Sequence, residues 1–553
     1  MRSLALGAAA AAGSSPAAAA SVMRAAWQAV LWHVVVPGLQ LAVYVCATMS
    51  LMLFLERLYM AAVVAGLWLQ RRRKRARRRR RLARDDVRKR MRLDDDDDLE
   101  SGEDRRCPMV LVQIPMFNER QVYRLSIGAA CGLSWPSDRL VIQVLDDSTD
   151  PAIRELVEVE CARWAGKGVR IRYENRSNRN GYKAGAMREG LRKPYARGCE
   201  FVAIFDADFQ PDADFLRRAV PPLLRDPGVA LVQARWRFVN AGDCILTRIQ
   251  EMSLNYHFAV EQEVGSACHA FFGFNGTAGV WRAAALADAG GWKERTTVED
   301  MDLAVRASLR GWRFVYAGDL AVRNELPSTF RAYRYQQHRW SCGPANLLRK
   351  VLPEILRSDR VSPWKKLHLY AFFFVRKVVA HLVTCLFYCL VIPACVLVQG
   401  DVHLPKYVAV YVPAVITLLN AVCTPRSGHL LVFWILFENV MSLHRSKAVV
   451  IGLLEASRAN EWVVHRQARR RQGYGSHDGG GREEREEVAA AETGGARAGA
   501  RDGGVPALLR RLRHGLLWPG PLLLVPDPAV GGGLHRRLRL RRRLGAGSTL
   551  LRG

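Results

Sequence analysis

The chain has 553 residues, 50% of them hydrophobic, and a formal net charge of +30, enough length for two or three folding units. Such a charge invites a nucleic-acid reading, but the basic residues are concentrated beside an apolar run, where membrane proteins place them, so no nucleic-acid partner is expected. The twelve cysteines show no C-x-x-C pair and no zinc spacing, which argues against a disulfide framework or a structural zinc site.

Residues 1–28 read as an Ala-rich, disordered N-terminus without the compact charged-then-apolar pattern of a cleaved signal. Ala29–Phe54 is almost uninterruptedly apolar, and residues 29–70 are expected to form a membrane anchor. The runs Arg71–Arg75 and Arg77–Arg81 follow, then the acidic block Asp94–Asp98. Residues 71–106 are accordingly expected to be a disordered linker. Its positive half suits anionic lipid headgroups and places the next domain on the cytosolic side.

From Met109 short β-rich runs alternate with helical patterns. Met109–Ile114, Leu140–Leu145, Val169–Tyr173, Glu200–Phe205 and Ala230–Gln233 read as strands, separated by helical spacing at Ile153–Trp164 and Ala184–Leu191. This alternation predicts an α/β, Rossmann-like domain over residues 107–350 with a parallel sheet, and ligands at the carboxyl ends of its strands. Beyond it, residues 351–464 carry the apolar runs Val378–Val398 and Tyr407–Val422, expected to cross the membrane. Gly428–Leu443 is shorter and holds Glu438, so it is expected to lie at the interface or line a polar path.

Polar clusters fall at the predicted strand ends. Pro115–Glu119 follows the first strand, Asp146-Asp147 the second, and Asp206-Ala207-Asp208 the fourth. Two carboxylates one residue apart are ordinarily solvated, but several such groups at one sheet edge repel one another unless a cation or phosphate chemistry draws on them. No Walker A sequence and no G-x-G-x-x-G after a strand occurs. Arg179–Ala186 instead places Gly181, Lys183 and Gly185 at the opening of a helix, where backbone N–H groups and an ammonium can face a diphosphate. His269–Gly279 is dense in glycine and aromatic residues, as at a close backbone approach. Thr297–Asp302 opens a helix with acids that either favour the helix dipole or supply a general base.

Taken in order and ahead of apolar helices, Asp146-Asp147, Asp206-Ala-Asp208, Glu299-Asp300 and Gln336-x-x-Arg339-Trp340 resemble the D, D-x-D, ED and Q-x-x-R-W motifs of processive family 2 glycosyltransferases. The longer runs Val112–Glu119, Gln143–Pro151, Phe271–Trp281 and Thr296–Val305 resemble the plant cellulose synthase-like group A, whose members are mannan and glucomannan synthases. The resemblance covers about Trp32 to Val464 apart from the charged linker. It implies a GT-A catalytic domain inserted between N-terminal and C-terminal transmembrane helices of a multi-pass Golgi membrane protein. It further implies transfer of mannosyl from GDP-mannose, with inversion, to the 4-hydroxyl of a growing β-1,4-linked mannan or glucomannan chain.

The same resemblance distributes the roles. Asp300 is the expected base, and Asp206 and Asp208 hold the nucleotide phosphates through Mn²⁺ or Mg²⁺. Asp147, with Asp146 beside it, belongs to the nucleoside end of the donor pocket. Lys183 and Arg339 are expected on the pyrophosphate, and Gln336, from the same motif as Arg339, is expected among the substrate-binding residues. Trp340 either stacks on the acceptor sugar or is an interfacial anchor. A β-glucan synthase using a nucleotide-glucose, and a catalytically impaired membrane scaffold, are the alternatives.

After Val464 the sequence changes character: no lysine follows Lys447, and residues 465–553 are rich in arginine and glycine. His465–Gln472, written as CAC CGA CAA GCT CGG CGA CGC CAA and shifted by one nucleotide, gives Thr-Asp-Lys-Leu-Gly-Asp-Ala, close to the family's continuation. A reading-frame change near Val464 is the expectation.

Overall fold

The computed structural model describes residues 16–91, 107–176, 178–398 and 402–455. The expectations for residues 1–15, for 92–106 with its acidic block, and for the tail 465–553 lie outside the described residues.

The centre is a seven-stranded sheet: β1 (Val110–Met116), β2 (Leu140–Asp146), β3 (Ile171–Asn175), β4 (Phe201–Ile204), β5 (Val229–Phe238), β6 (Gly279–Arg282) and β7 (Arg313–Asn324), in the order β3-β2-β1-β4-β6-β5-β7. β1, β2 and β4 are buried along nearly their whole length. Helices on both faces demand such strands, and Val, Ile and Leu supply them. Two glutamines enter this interior and bond to each other: Gln113, opposite Gln143 in register, donates to its Oε1 at 2.8 Å, and Gln143 donates on to Gly190 O at 3.0 Å. One apolar layer includes the helix Glu299–Leu309, and the other the helices Tyr123–Cys131, Pro151–Ala165 and Phe215–Arg225.

The sheet is mixed, which corrects the expectation of a parallel one. β6 runs antiparallel to both β4 and β5, whereas β1–β2, β1–β4, β2–β3 and β5–β7 are parallel. A four-residue strand emerging from a Gly-rich loop has too little alternation to be recognised in sequence.

Among the described residues two helices are long and apolar enough to cross a bilayer, Ala20–Arg77 and Pro363–Leu397, and both are mostly unburied. Their remaining faces expose residues such as Leu41, Tyr44, Leu390 and Leu397, a large apolar surface that suits lipid. The third expected crossing, Tyr407–Val422, is the shorter helix Tyr407–Ala421, below the ~20 residues of a full span. Over the first part of the expected linker, the helix Val36–Met91 carries the chain through the Arg runs without a break. No glycine or proline interrupts residues 67–91, and arginine is a good helix former. Phe330–Arg357 is likewise one helix running through residue 350, and it packs along Leu431–Leu454.

Candidate active site

The loops leaving β1 and β2 are tied together before either reaches a ligand. Asn118 adopts a left-handed conformation, φ 55°. Its amide N–H donates to Ser148 Oγ at 2.8 Å, and its Oδ1 accepts from Thr149 N at 3.0 Å. Strain of this kind persists where surrounding bonds over-determine it. Glu119 follows, its carboxyl pushed up to about 7 by burial and by Asp206.

Asp146 and Asp147 separate in role. Asp146 is fully buried, and both its oxygens are engaged, Oδ1 by Ser148 N at 2.9 Å and Oδ2 by the Tyr173 hydroxyl at 3.1 Å. It holds the loop. Asp147 is gripped by both sides of the Arg176 guanidinium, Nε donating to Oδ1 at 2.7 Å and Nη2 to Oδ2. Arg176 also donates to Asn180 O at 3.1 Å and Tyr182 O at 3.0 Å, fixing the turn before Lys183. Asp147, Arg176, Glu174, Asn175 and Lys193 line a cavity of about 230 Å³.

That turn uses two successive left-handed residues, Gly181 (φ 68°) and Tyr182 (φ 48°), to start the helix Tyr182–Leu191. Lys183 is thereby aimed across the sheet edge. It forms an ion pair with Asp206, and its Nζ donates to Gly276 O at 2.9 Å. Burial works against its charge, but Asp206, Glu299 and Asp300 outweigh it and raise its pKa. Asp206 in turn donates its backbone N–H to Thr277 Oγ1 at 2.9 Å. Gly276, φ 79°, is packed so closely that an added Cβ would stand 2.8 Å from Asp300 Oδ2. The Gly-aromatic loop therefore reaches the acids of the DxD and ED motifs at once.

Three acids begin the helix Glu299–Leu309, and they divide. Asp302 is fully buried, its Oδ1 accepting from Arg295 Nε at 3.0 Å and its Oδ2 from Arg306 Nε at 2.9 Å. Glu299 and Asp300 face the site. Burial and Asp300 push the Glu299 carboxyl up to about 7. Asp300 is raised by burial and by Asp206, with Lys183 and Arg339 pulling the other way. Asp208 is pushed up to about 8 by burial, Asp206 and Glu119. Arg339 sits within the field of Glu299, Asp206, Asp300 and Asp208, while burial lowers its pKa.

Gln336, Arg339 and Trp340 lie on one face of the helix Phe330–Arg357, by their i, i+3, i+4 spacing. The Trp340 ring is 6.5 Å from Trp236, which also meets Phe209 at 5.3 Å and Phe258 at 5.4 Å. Phe209 directly follows Asp208, so Trp340 belongs to the catalytic domain's aromatic cluster and is not a solitary interfacial anchor. The adjacent Gln337 is fixed by Arg445, whose Nε donates to its Oε1 at 2.9 Å while the guanidinium pairs with Glu438. The acid of the short apolar run is thus satisfied inside the protein.

Among the described residues no group of three or more His, Cys, Asp or Glu side chains is arranged to hold a metal ion. Asp206 and Asp208 nonetheless fit the hard cations that bind one or two carboxylates and take their other oxygens from phosphates. Burial first, and then the neighbouring Asp206 and Glu119, raise the Asp208 carboxyl, and a cation there would relieve the second of these. Arg176, Thr277 and Trp236 were not visible as site residues in sequence. Arg176 lies just past β3 in no recognisable pattern, and a threonine accepting one backbone bond has no sequence signal.

The sequence matches glycosyl transferase family 2 over residues 111–284 and glycosyl transferase family group 2 over residues 201–422. It is 65% identical over 431 residues to glucomannan 4-beta-mannosyltransferase 9 of Arabidopsis thaliana, covering 78% of each chain. It is 62% identical over 450 residues to glucomannan 4-beta-mannosyltransferase 1 of Cyamopsis tetragonoloba (81% of this chain, 83% of that one). It is 64% identical over 440 residues to glucomannan 4-beta-mannosyltransferase 1 of Oryza sativa subsp. japonica (79% and 82%). Among solved structures, the mannosyltransferase PcManGT from Pyrobaculum calidifontis, in complex with GDP-Man and Mn²⁺, is 20% identical over 63% of this chain and 88% of that one, with a TM-score of 0.41.

Proposed function

The chain belongs to glycosyl transferase family 2, among the glucomannan 4-beta-mannosyltransferases, and we propose that it transfers mannosyl units from GDP-mannose to the 4-hydroxyl of a β-1,4-linked mannan or glucomannan chain, with inversion. One observation carries the reading: Asp206, Glu299 and Asp300 share a single field with Lys183 and Arg339 at the carboxyl edge of the sheet. Inversion needs one base on the acceptor side and neutralisation of the departing diphosphate on the other.

Asp300 takes the proton of the attacking hydroxyl as the new glycosidic bond forms and the bond to the diphosphate breaks. Its raised pKa makes it a better base than an exposed aspartate. Lys183 and Arg339 receive the diphosphate, the latter with the planar fork that matches phosphate oxygens. Asp206 and Asp208 would hold Mn²⁺ or Mg²⁺, which as a Lewis acid stabilises charge on the leaving group. Asp147, oriented by Arg176, borders the nucleoside, and Gln336 and Trp340 border the acceptor sugar. Asp146 positions Asp147 from behind. The two long apolar helices support a multi-pass protein, proposed to reside in the Golgi membrane.

The test is incorporation of radiolabelled sugar by isolated membranes offered GDP-mannose, GDP-glucose or UDP-glucose. Mannan made from GDP-mannose, and lost in Asp206→Ala and Asp300→Asn at unchanged protein level, is expected. A polymer built solely from UDP-glucose would replace this reading with a glucan synthase. Absence of transfer from every donor would favour the impaired scaffold.

A further inference from the structure

The helical stretch that begins at Ile245–Tyr256 and continues through the wider turns His257–Gln262 and Gly265–His269 stands between the catalytic sheet and the apolar helices. Tyr256, Val260 and Val264 pack on Met60, Val63 and Val64, and Ile249 and Met252 pack on Ala421 and Trp434. Wide turns of this kind are uncommon and concentrate where function constrains a helix.

At its middle, one carboxylate joins both membrane-length helices. Glu261 Oε1 pairs with Arg376 Nη1 at 2.8 Å, from the helix Pro363–Leu397, and with Arg57 Nη1 at 3.2 Å, from the helix Ala20–Arg77. Arg376 Nε also meets Glu56 Oε1 at 3.1 Å. Charges on such helices are costly unless paired, and each of these four lies within ion-pair distance of an opposite charge. The second oxygen of Glu261 faces the opposite direction and accepts from His257 Nδ1 at 2.8 Å.

From His257 the contacts run into the active-site loop. With Nδ1 donating to Glu261, His257 Nε2 accepts from Gln262 Nε2 at 3.2 Å, and Gln262 Nε2 donates also to Gly273 O at 3.3 Å and to Asn275 Oδ1 at 2.9 Å. The next residue is Gly276, whose carbonyl accepts from Lys183, and then Thr277, whose hydroxyl accepts from Asp206 N. A contiguous set of polar contacts therefore connects the seam between two membrane-length helices with the cation and carboxylate assigned above to the diphosphate.

We infer that Glu261 and His257 are positioning residues, which hold the Gly273–Thr277 loop, and through it Lys183 and Asp206, in register with the membrane helices. Glu261 touches neither reacting group; it acts through His257, Gln262 and Asn275. Donor binding and the packing of Arg57 and Arg376 are by the same contacts thermodynamically linked. The inference rests on the proposed role of Lys183 and Asp206.

The experiment uses the full chain in detergent or nanodiscs, with amide hydrogen exchange followed over residues 273–277 and GDP with Mn²⁺ as the probe. His257→Ala is expected to speed exchange of that loop roughly fivefold, the effect of losing one hydrogen-bonded link. It is expected to weaken GDP binding by a similar factor, and to leave β2 exchange and the melting temperature unchanged. His257→Gln, whose amide can bridge the same partners, restores most of the loss, and Glu261→Gln reproduces the loosening of the loop. Unchanged loop exchange in both His257→Ala and Glu261→Gln would overturn the inference. So would acceleration spread evenly over the whole protein, or a loosened loop with undiminished GDP affinity. Neither readout needs turnover, so a wild-type protein that transfers no sugar counts against the proposed function and leaves this test standing.

Discussion

Burial, together with the crowding of Asp206, Asp208, Glu119, Glu299 and Asp300 against only Lys183 and Arg339, has a measurable consequence. The Glu119 and Glu299 carboxyls are pushed to about 7 and that of Asp208 to about 8. A carboxyl raised in the folded state binds more protons there than in the unfolded chain, so its contribution to stability is present at low pH and lost as pH rises through its folded pKa. For the ligand-free protein the window runs from the ordinary carboxylate range up through about 8. A cation with GDP removes the repulsion, so together they are expected to raise the melting temperature more at about pH 8 than at about pH 5.5. Asp208→Asn should flatten the ligand-free profile in the same window. Equal ligand-induced shifts at the two pH values would show that the carboxylates are not the cause. For the chemistry, Asp300→Asn is expected to lower kcat by about 10²–10⁴-fold, the usual range for a general base, while GDP binding persists. Loss of GDP binding in that variant would instead place Asp300 among the phosphate contacts.

At the scale of elements, the helix bearing Gln336, Arg339 and Trp340 is set by a close crossing. A Cβ added to Gly452 would stand 2.3 Å from the Cys342 carbonyl, a backbone atom that cannot turn aside. Alanine is the better helix former by about 1 kcal/mol, yet overpacking a tight contact costs about 1–3 kcal/mol. Gly452→Ala is therefore expected to lower the melting temperature, and to lower transfer because Arg339 moves with its helix. Gly66 has nothing within 4 Å of an added Cβ, so Gly66→Ala is the control and should leave stability unchanged or improved. Equal effects of the two would mean that propensity, not the crossing, decides.

Elements also differ in how visible they are in sequence. The buried strands β1, β2 and β4 announce themselves as apolar runs with acids at their ends, and the structure starts or ends each within two residues of its expected place. β3 lies two residues later than expected, at Ile171–Asn175, although Arg170 O already accepts from Ile142 N at 2.9 Å. β6 and β7 escape notice. The first is too short to show a period, and the second alternates in two short pieces broken at Gly318-Asp319. In the site, the motif acids and Lys183, Arg339 and Trp340 are legible because strand ends and helix starts concentrate ligands. The partners that orient them are not. Arg176 reaches Asp147 from 29 positions away, and no local pattern encodes a contact of that separation.

For the molecule as a whole, one ion pair bears on which side of the membrane the catalytic domain occupies. Arg71 pairs with Glu263 on the stretch that borders the catalytic sheet, and Arg72 lies over the Trp68 ring at 5.3 Å. The basic run therefore leaves the apolar helix on the same side as the active site. Positive flanks of membrane helices favour the cytosolic side, so the catalytic domain is predicted to face the cytosol. Cys268 is exposed on that side, near Glu263, whereas the exposed Cys389 sits within the membrane-length helix Pro363–Leu397. In sealed, cytosol-side-out vesicles a membrane-impermeant maleimide is expected to label the wild-type protein and to lose a labelled site in Cys268→Ser, with Cys389→Ser changing nothing. Labelling of Cys268 that requires detergent would place the active site in the lumen and break the link between the Arg run and topology. The contact between Arg71 and Glu263 would then have to form across the opposite face, against the charge asymmetry that the first helix carries.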